Sequence, residues 1–244
     1  MRLTRCPLEL PLAVGQTLSL PEEVANHLLR VLRLRQGDTC VLFNGDGHDY
    51  AATLITAGKR DAQVRIDAAQ TLDNESPLAI TLLQGIARGE KMDLILQKAT
   101  ELGVVAVVPV NAERTEVKLD AARAEKRMAH WRSVVGSACG QSGRARIPPI
   151  VAPQALAAAV ASLPEQTLRL TLDPLGEHRM AALPAAPANG VVVAIGPEGG
   201  WSPRDRQQLA AAGFQGLQLG PRILRTETAG LAAIAALQAR LGDL

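Results

Sequence analysis

Two stretches of this chain combine glycine, proline and charged residues at a spacing that could hold and act on a small molecule. The first is Gly196-Pro197-Glu198-Gly199-Gly200-Trp201-Ser202-Pro203. The second is Gly220-Pro221-Arg222-Ile223-Leu224-Arg225-Thr226-Glu227-Thr228. Glycine allows a backbone to approach a ligand more closely than a side chain would permit. Neither stretch is a phosphate loop. The patterns G-x-x-x-x-G-K-[ST] and G-x-G-x-x-G are missing, and Glu198 would repel a pyrophosphate. An uncharged or cationic ligand, read by main-chain N–H and C=O groups, suits the first stretch better. In the second, Arg222, Arg225 and Glu227 could stabilise charge on a reacting group or could form only a structural ion pair. Thr226 or Thr228 could cap the helix that follows, with Glu227 favourably placed in its first turn.

The surrounding pattern says what must position these residues. Each stretch follows an apolar run, Val191 to Ile195 and Leu217 to Leu219, and precedes a helical pattern. Loops at the carboxyl ends of strands are where open α/β sheets bind ligands, so the two are read as walls of one composite site. Alternating strand and helix patterns reach back to residue 78 and predict a mainly parallel sheet covered on both faces. Leu78 to Gln84 is an apolar run without clean alternation, as expected of a strand buried on both sides. Met92, Ile95, Leu96, Ala99 and Leu102 fall on one helical arc, ended by Gly103 in the usual position of a left-handed cap. Met128, Trp131, Val135 and Ala138 mark one side of a longer helix over 121–139. A short helix is predicted over 153–161, and the last from about Glu227 to Leu241.

Residues 1–72 follow a different grammar. Short strands, Pro and Gly punctuation, a brief helix over 22–33 and the hairpin turn Asn44-Gly45-Asp46-Gly47 suggest a small barrel. The polar linker Asp73-Asn-Glu-Ser-Pro77 separates it from the α/β pattern. The expected domains are therefore 1–72 and 73–244.

Composition narrows the function. Aromatic residues make up 2% of the 244, too few for RNA recognition through rows of stacked rings. The net charge is only +2, but seven Lys or Arg against two acids lie between Lys118 and Arg146. Arg2, Arg5, Arg30, Arg33 and Arg35 form a second basic group. Either group could contact phosphates, or could be a solvated face. Cys6, Cys40 and Cys139 are far apart and form no C-x-x-C, and His27, His48, His130 and His178 lack metal spacing. Cys139 reads as a small buried residue. The start does not read as a signal peptide, and no run of about 18 apolar residues could span a membrane. A soluble cytoplasmic protein without a metal is expected.

The two opening motifs, taken together, resemble those of the ribosomal RNA uridine-N3 methyltransferases of the RsmE family, in the SPOUT class. The likeness extends through His27-Leu-Leu-Arg-Val-Leu-Arg-Leu34, Gly37-Asp38, Phe43-Asn-Gly45, Gln97-Lys-Ala-Thr-Glu-Leu-Gly-Val104, Arg114 to Lys118 and Gln141-Ser-Gly-Arg144. There are departures. Trp201 stands where Phe is common, Glu116 where an uncharged residue is usual, and Cys139-Gly140-Gln141 where an Ala-x-Glu-Gln-like stretch is usual.

The resemblance implies an RNA-binding PUA-like β-barrel at the N-terminus and a SPOUT α/β-knot domain with a deep trefoil knot. It implies that S-adenosylmethionine sits against Leu172, Gly196, Pro197, Glu198, Gly199, Gly200, Leu219, Gly220, Ile223, Leu224, Arg225, Thr226 and Thr228. The implied reaction is methylation of N3 of a uridine in small-subunit (16S) ribosomal RNA by a homodimer. In it Arg225 would stabilise negative charge on the base, and Glu227 or Glu198 would orient the base or the loop. Arg5, Arg30, Arg33, Arg114, Lys118 and Arg144 would hold the RNA. Two alternatives stand beside this: a SPOUT ribose methyltransferase acting on transfer RNA, and a non-enzymatic RNA-binding ribosome-assembly protein. Both opening motifs and the N-terminal barrel disfavour the first, and cofactor binding would separate the second.

Overall fold

The computed structural model describes residues 4–58, 61–117, 121–185 and 187–244, without the side chains of 121 and 122. The chain forms two compact units, Met1–Glu75 with Gly136–Ile147, and Ser76–Val135 with Pro148–Leu244.

The first unit is built on strands β1 (Arg5–Pro7), β2 (Thr17–Ser19), β3 (Thr39–Phe43), β4 (His48–Ala57) and β5 (Ala62–Thr71). They form one sheet in the order β1-β3-β4-β5-β2, antiparallel except where β1 lies beside β3. Alternation sets its core: Tyr50, Ala52 and Leu54 on β4, and Ala62, Val64 and Ile66 on β5, are buried while their neighbours face outward. Register shifts at Ala51/Ala52 and Leu54/Thr56 strengthen the twist. The stretch 22–33 forms α1 (Glu22–Asn26) and then a π-helical turn, His27–Val31. Arg30 and Arg33 beside it are exposed, and Arg33 takes a φ of +57°.

Two residues expected to hold RNA have side chains tied into ion pairs within the first unit. Arg5 has a side-chain exposure of 6%. Its guanidinium donates to Asp49 at 2.9 Å and to the carbonyls of Cys139 and Arg144, and lies 4.7 Å over the Phe43 ring. The Arg144 side chain, also 6% exposed, donates to Glu75 at 3.1 Å. Both pair with half-buried carboxylates. Lys118 lies outside the described residues. The three cysteines are buried and free, and burial pushes the Cys139 thiol up to about 11.

The second unit carries β6 (Ile80–Gly85), β7 (Val104–Asn111), β8 (Gln154–Ala155), β9 (Leu168–Leu172), β10 (His178–Arg179), β11 (Val191–Ile195) and β12 (Gln215–Gln218). They pair in parallel in the order β10-β12-β9-β11-β6-β7-β8. Every residue of β6 and β11 is buried, which accounts for their lack of clean alternation. The helices are α2 (Glu90–Glu101), α3 (Ala121–Ser142, whose last turns belong to the first unit), α4 (Leu156–Ala161), α5 (Pro203–Ala211) and α6 (Thr226–Leu241). Met92, Ile95, Leu96 and Ala99 of α2 are fully buried, and Leu102 half-buried. Gly103 follows the helix at φ +84°, in the left-handed cap position. Helix α4 starts later than predicted because Gln154 and Ala155 pair with Val110 and Asn111 as a short strand.

From β6 the chain builds outward through β7 to β8, then crosses back to build β9 on the far side of β11. The strand order thus reverses at the centre of the sheet, where α/β sheets open a crevice at their carboxyl ends. The loops after β9, β11 and β12 meet at that end.

Candidate active site

A cavity of about 590 Å³ lies among these loops, within the roughly 300–1,000 Å³ usual for small-molecule sites. Its apolar walls come from Leu172, Ile195, Leu217, Leu219, Ile223 and Leu224, and Gly196, Pro197, Glu198, Gly200 and Gly220 supply polar edges.

Local chemistry fixes each loop. Gly200 N–H donates to the Pro197 carbonyl at 2.8 Å, closing a tight turn in which Gly200 adopts φ +66°. Trp201 is 4% exposed and its indole N–H donates to Thr171 Oγ1 on β9 at 3.1 Å. Ser202 and Asp205 then form a reciprocal capping box that starts α5, with Pro203 in its first turn. The first loop is therefore anchored at both ends. Gly85, at the end of β6, has no side chain because a Cβ there would stand 2.5 Å from Pro197 Cδ.

The second loop ends at α6, whose cap residue is Arg225 rather than a threonine. Arg225 contributes only its backbone carbonyl, which accepts from Thr228 and Ala229. Thr226 does not cap. Its hydroxyl donates to the Gly196 carbonyl at 2.6 Å and accepts from Gln84 Nε2 at 3.1 Å. One buried threonine thus joins the two loops and β6.

The charged lining is organised around Lys91, in the first turn of α2. Its Nζ lies 3.5 Å from Glu198 Oε1 and 3.7 Å from Glu227 Oε2. Glu198 also accepts from the Arg88 backbone N–H at 3.0 Å. Burial opposes ionisation of Glu198. The N–H groups of Arg88 and of Glu198 itself, with Lys91, outweigh it and hold the carboxyl below its ordinary value. Asp173 accepts from the Leu175 N–H and from Arg206, both at 2.9 Å. Glu227 accepts no hydrogen bond among the described residues, and its Oε2 is buried without one.

The expected cofactor residues line this cavity with two exceptions: Gly199 packs against Arg114, and Thr228 points outward. The three expected catalytic residues, Arg225, Glu227 and Glu198, all border it. Arg114 donates to the Gly199 carbonyl at 3.1 Å and Arg88 pairs with Glu116 at 2.6 Å, so the unusual Glu116 has a local partner. Lys91, Asp173, Arg206 and Gln84 were missed. Asp173-Pro-Leu-Gly176 after a strand is a turn signal that could have flagged the first of the two loop partners, Asp173. Lys91 and Gln84 carry no local signal at all.

Residues 74–238 match the family described as the RNA methyltransferase domain, and residues 20–67 the RNA methyltransferase PUA domain. Ribosomal RNA small subunit methyltransferase E of Buchnera aphidicola is 32% identical over 243 residues, covering 100% of this chain and 98% of that protein. The crystal structure of ribosomal RNA small subunit methyltransferase E from Neisseria gonorrhoeae, bound to S-adenosyl methionine, is 44% identical with a TM-score of 0.94 and covers 99% of both chains. A Legionella pneumophila protein solved with SAM is 38% identical with a TM-score of 0.95 over 100% of both chains. On this evidence the chain belongs to the RNA methyltransferase family that includes the ribosomal RNA small subunit methyltransferases E.

Proposed function

We propose that this protein is an S-adenosylmethionine-dependent methyltransferase that modifies N3 of a specific uridine in 16S ribosomal RNA. One observation carries the reading. The two Gly/Pro loops border a single cavity at the carboxyl ends of β11 and β12, in a chain 44% identical to a SAM-bound relative over 99% of its length. The residues suit the cofactor. Leu172, Leu219 and Ile223 offer apolar contact, the glycine-loop backbone offers main-chain donors and acceptors, and Glu198 brings a negative charge suited to a cationic sulfonium. When bound, S-adenosylmethionine supplies an electrophilic methyl group.

The chain's own residues must hold the uridine in line and manage the proton that leaves N3. Arg225 cannot lose its proton and stands at the cavity edge, where it stabilises negative charge spreading to the base oxygens. Arg30 and Arg33 are exposed and suited to the RNA backbone, which supplies affinity and register. To the same reading belong an RNA-binding barrel over 1–72, the SPOUT trefoil knot in the domain over 73–244, a homodimeric active unit and a cytoplasmic location. Family membership supports these.

The test uses purified protein, methyl-labelled S-adenosylmethionine and small subunits from cells lacking the gene. Label recovered as N3-methyluridine is the expected result, and Arg225→Ala should abolish it while leaving the fold intact. Label on a ribose hydroxyl, or none despite cofactor binding, would overturn the reading.

A further inference from the structure

The carboxylates of the cavity are not equivalent, and the difference identifies the group that takes the N3 proton. Among the described residues three carboxylates line it: Asp173, Glu198 and Glu227. Asp173 is occupied by Arg206 and a backbone N–H, both at 2.9 Å. Glu198 is occupied by the Arg88 N–H at 3.0 Å and by Lys91. Glu227 alone of the three accepts no hydrogen bond. Lys91 holds it by charge at 3.7 Å, and its side chain is 16% exposed. The other charged lining residues are Lys91 and the arginines 206, 222 and 225, and among the described residues no His, Tyr or Cys borders the cavity. Arginine cannot accept a proton, and Lys91 is committed to two carboxylates.

A carboxylate left without a donor in a partly buried site carries an unmet acceptor demand, which a ligand N–H would satisfy. The uridine N3–H is such a donor. We infer that Glu227 is the proton acceptor of the methyl transfer, with Lys91 as the residue that positions it. This rests on the function proposed above. The step balances: the N3–H bond breaks and its proton passes to a Glu227 oxygen. The nitrogen pair so freed forms the N–CH₃ bond, and the C–S pair stays on sulfur. One carboxylate and one sulfonium are discharged together, leaving a protonated Glu227, a neutral thioether and N3-methyluridine. Product release returns the proton to solvent.

The test compares wild type with Glu227→Gln, which keeps shape but cannot take a proton. Single-turnover rates are measured on uridine-containing RNA and on RNA carrying 5-fluorouridine, whose N3–H is more acidic, each as reconstituted small subunit. S-adenosylmethionine affinity is measured by calorimetry in parallel. The expected result is a loss of about 10²-fold or more on uridine, the scale of general-base catalysis, with unchanged cofactor affinity and a markedly smaller loss on 5-fluorouridine. An equal loss on both substrates, an unaltered rate, or a cofactor affinity that falls as far as the rate would each overturn the assignment while wild-type activity upholds the reaction. Failure of the wild type to form N3-methyluridine would overturn the reaction and the assignment together.

Discussion

Thr226 donates its hydroxyl to the Gly196 carbonyl at 2.6 Å, so the start of the last helix is tied to the first residue of the glycine loop. Gln84, fully buried, donates to the same hydroxyl from the end of β6. Thr226→Val keeps the shape but leaves one N–H of the Gln84 amide, whose other bond goes to the Gly85 carbonyl, and the Gly196 carbonyl without this partner. A loss of about 1–3 kcal/mol in stability is expected from such unmet groups, together with weaker S-adenosylmethionine binding. Thr226→Ser should keep both. Denaturant midpoints and calorimetry measure them, and a Val variant with wild-type cofactor affinity would show that the bond does not shape the site.

Close approach makes a second prediction. A Cβ at Gly85 would lie 2.5 Å from Pro197 Cδ and 2.6 Å from its nitrogen, so the loop must shift to admit Gly85→Ala. Overpacking of this kind costs about 1–3 kcal/mol. The expected variant is folded by circular dichroism, less stable, and impaired in cofactor binding. Wild-type binding would mean that the Gly196–Gly200 loop tolerates displacement.

The arginines should divide into two classes. Arg5→Ala leaves the half-buried Asp49 without its partner, and a loss of about 1–3 kcal/mol is expected from the unmet carboxylate. Arg30→Ala/Arg33→Ala should weaken RNA binding, with a shallower dependence of affinity on salt. Filter binding at several salt concentrations reads the second effect. Unchanged RNA affinity in the double variant would remove this pair from the interface.

Glu198 gives a pH dependence of definite sign. Its folded-state carboxyl is held below the ordinary 4.5, so its ionised form stabilises the folded protein above that value and the contribution is lost as pH falls below it. Glu198→Gln should therefore be less stable than wild type near neutral pH, and the gap should close on acidification below 4.5. Urea midpoints of both proteins across that range measure it. A gap that persists at the acid end would point to a role other than charge.

Much of this was written locally in the chain. The arc Met92, Ile95, Leu96 and Ala99, the mostly apolar, non-alternating runs of β6 and β11, and the hairpin at Asn44–Gly47 each follow from neighbours within a few residues. Both glycine loops were legible because glycine and proline punctuate the chain wherever they occur. What was not legible depended on partners far away. Arg5 reads as a surface cation until Asp49, 44 positions on, is brought beside it. Gln84 looks like the end of an apolar strand, and its bond to Thr226 spans 142 positions. Thr226 reads as a helix cap because Thr commonly caps, but its hydroxyl is taken by Gly196. Lys91 gains its meaning only when Glu198 and Glu227 flank it.

Mass mapping of 16S ribosomal RNA from cells with and without the gene bears most directly on the proposed function. The account predicts that one N3-methyluridine disappears on deletion, returns with the wild-type protein and does not return with Arg225→Ala. An unchanged methylation map, or loss of a ribose methyl instead, would contradict it.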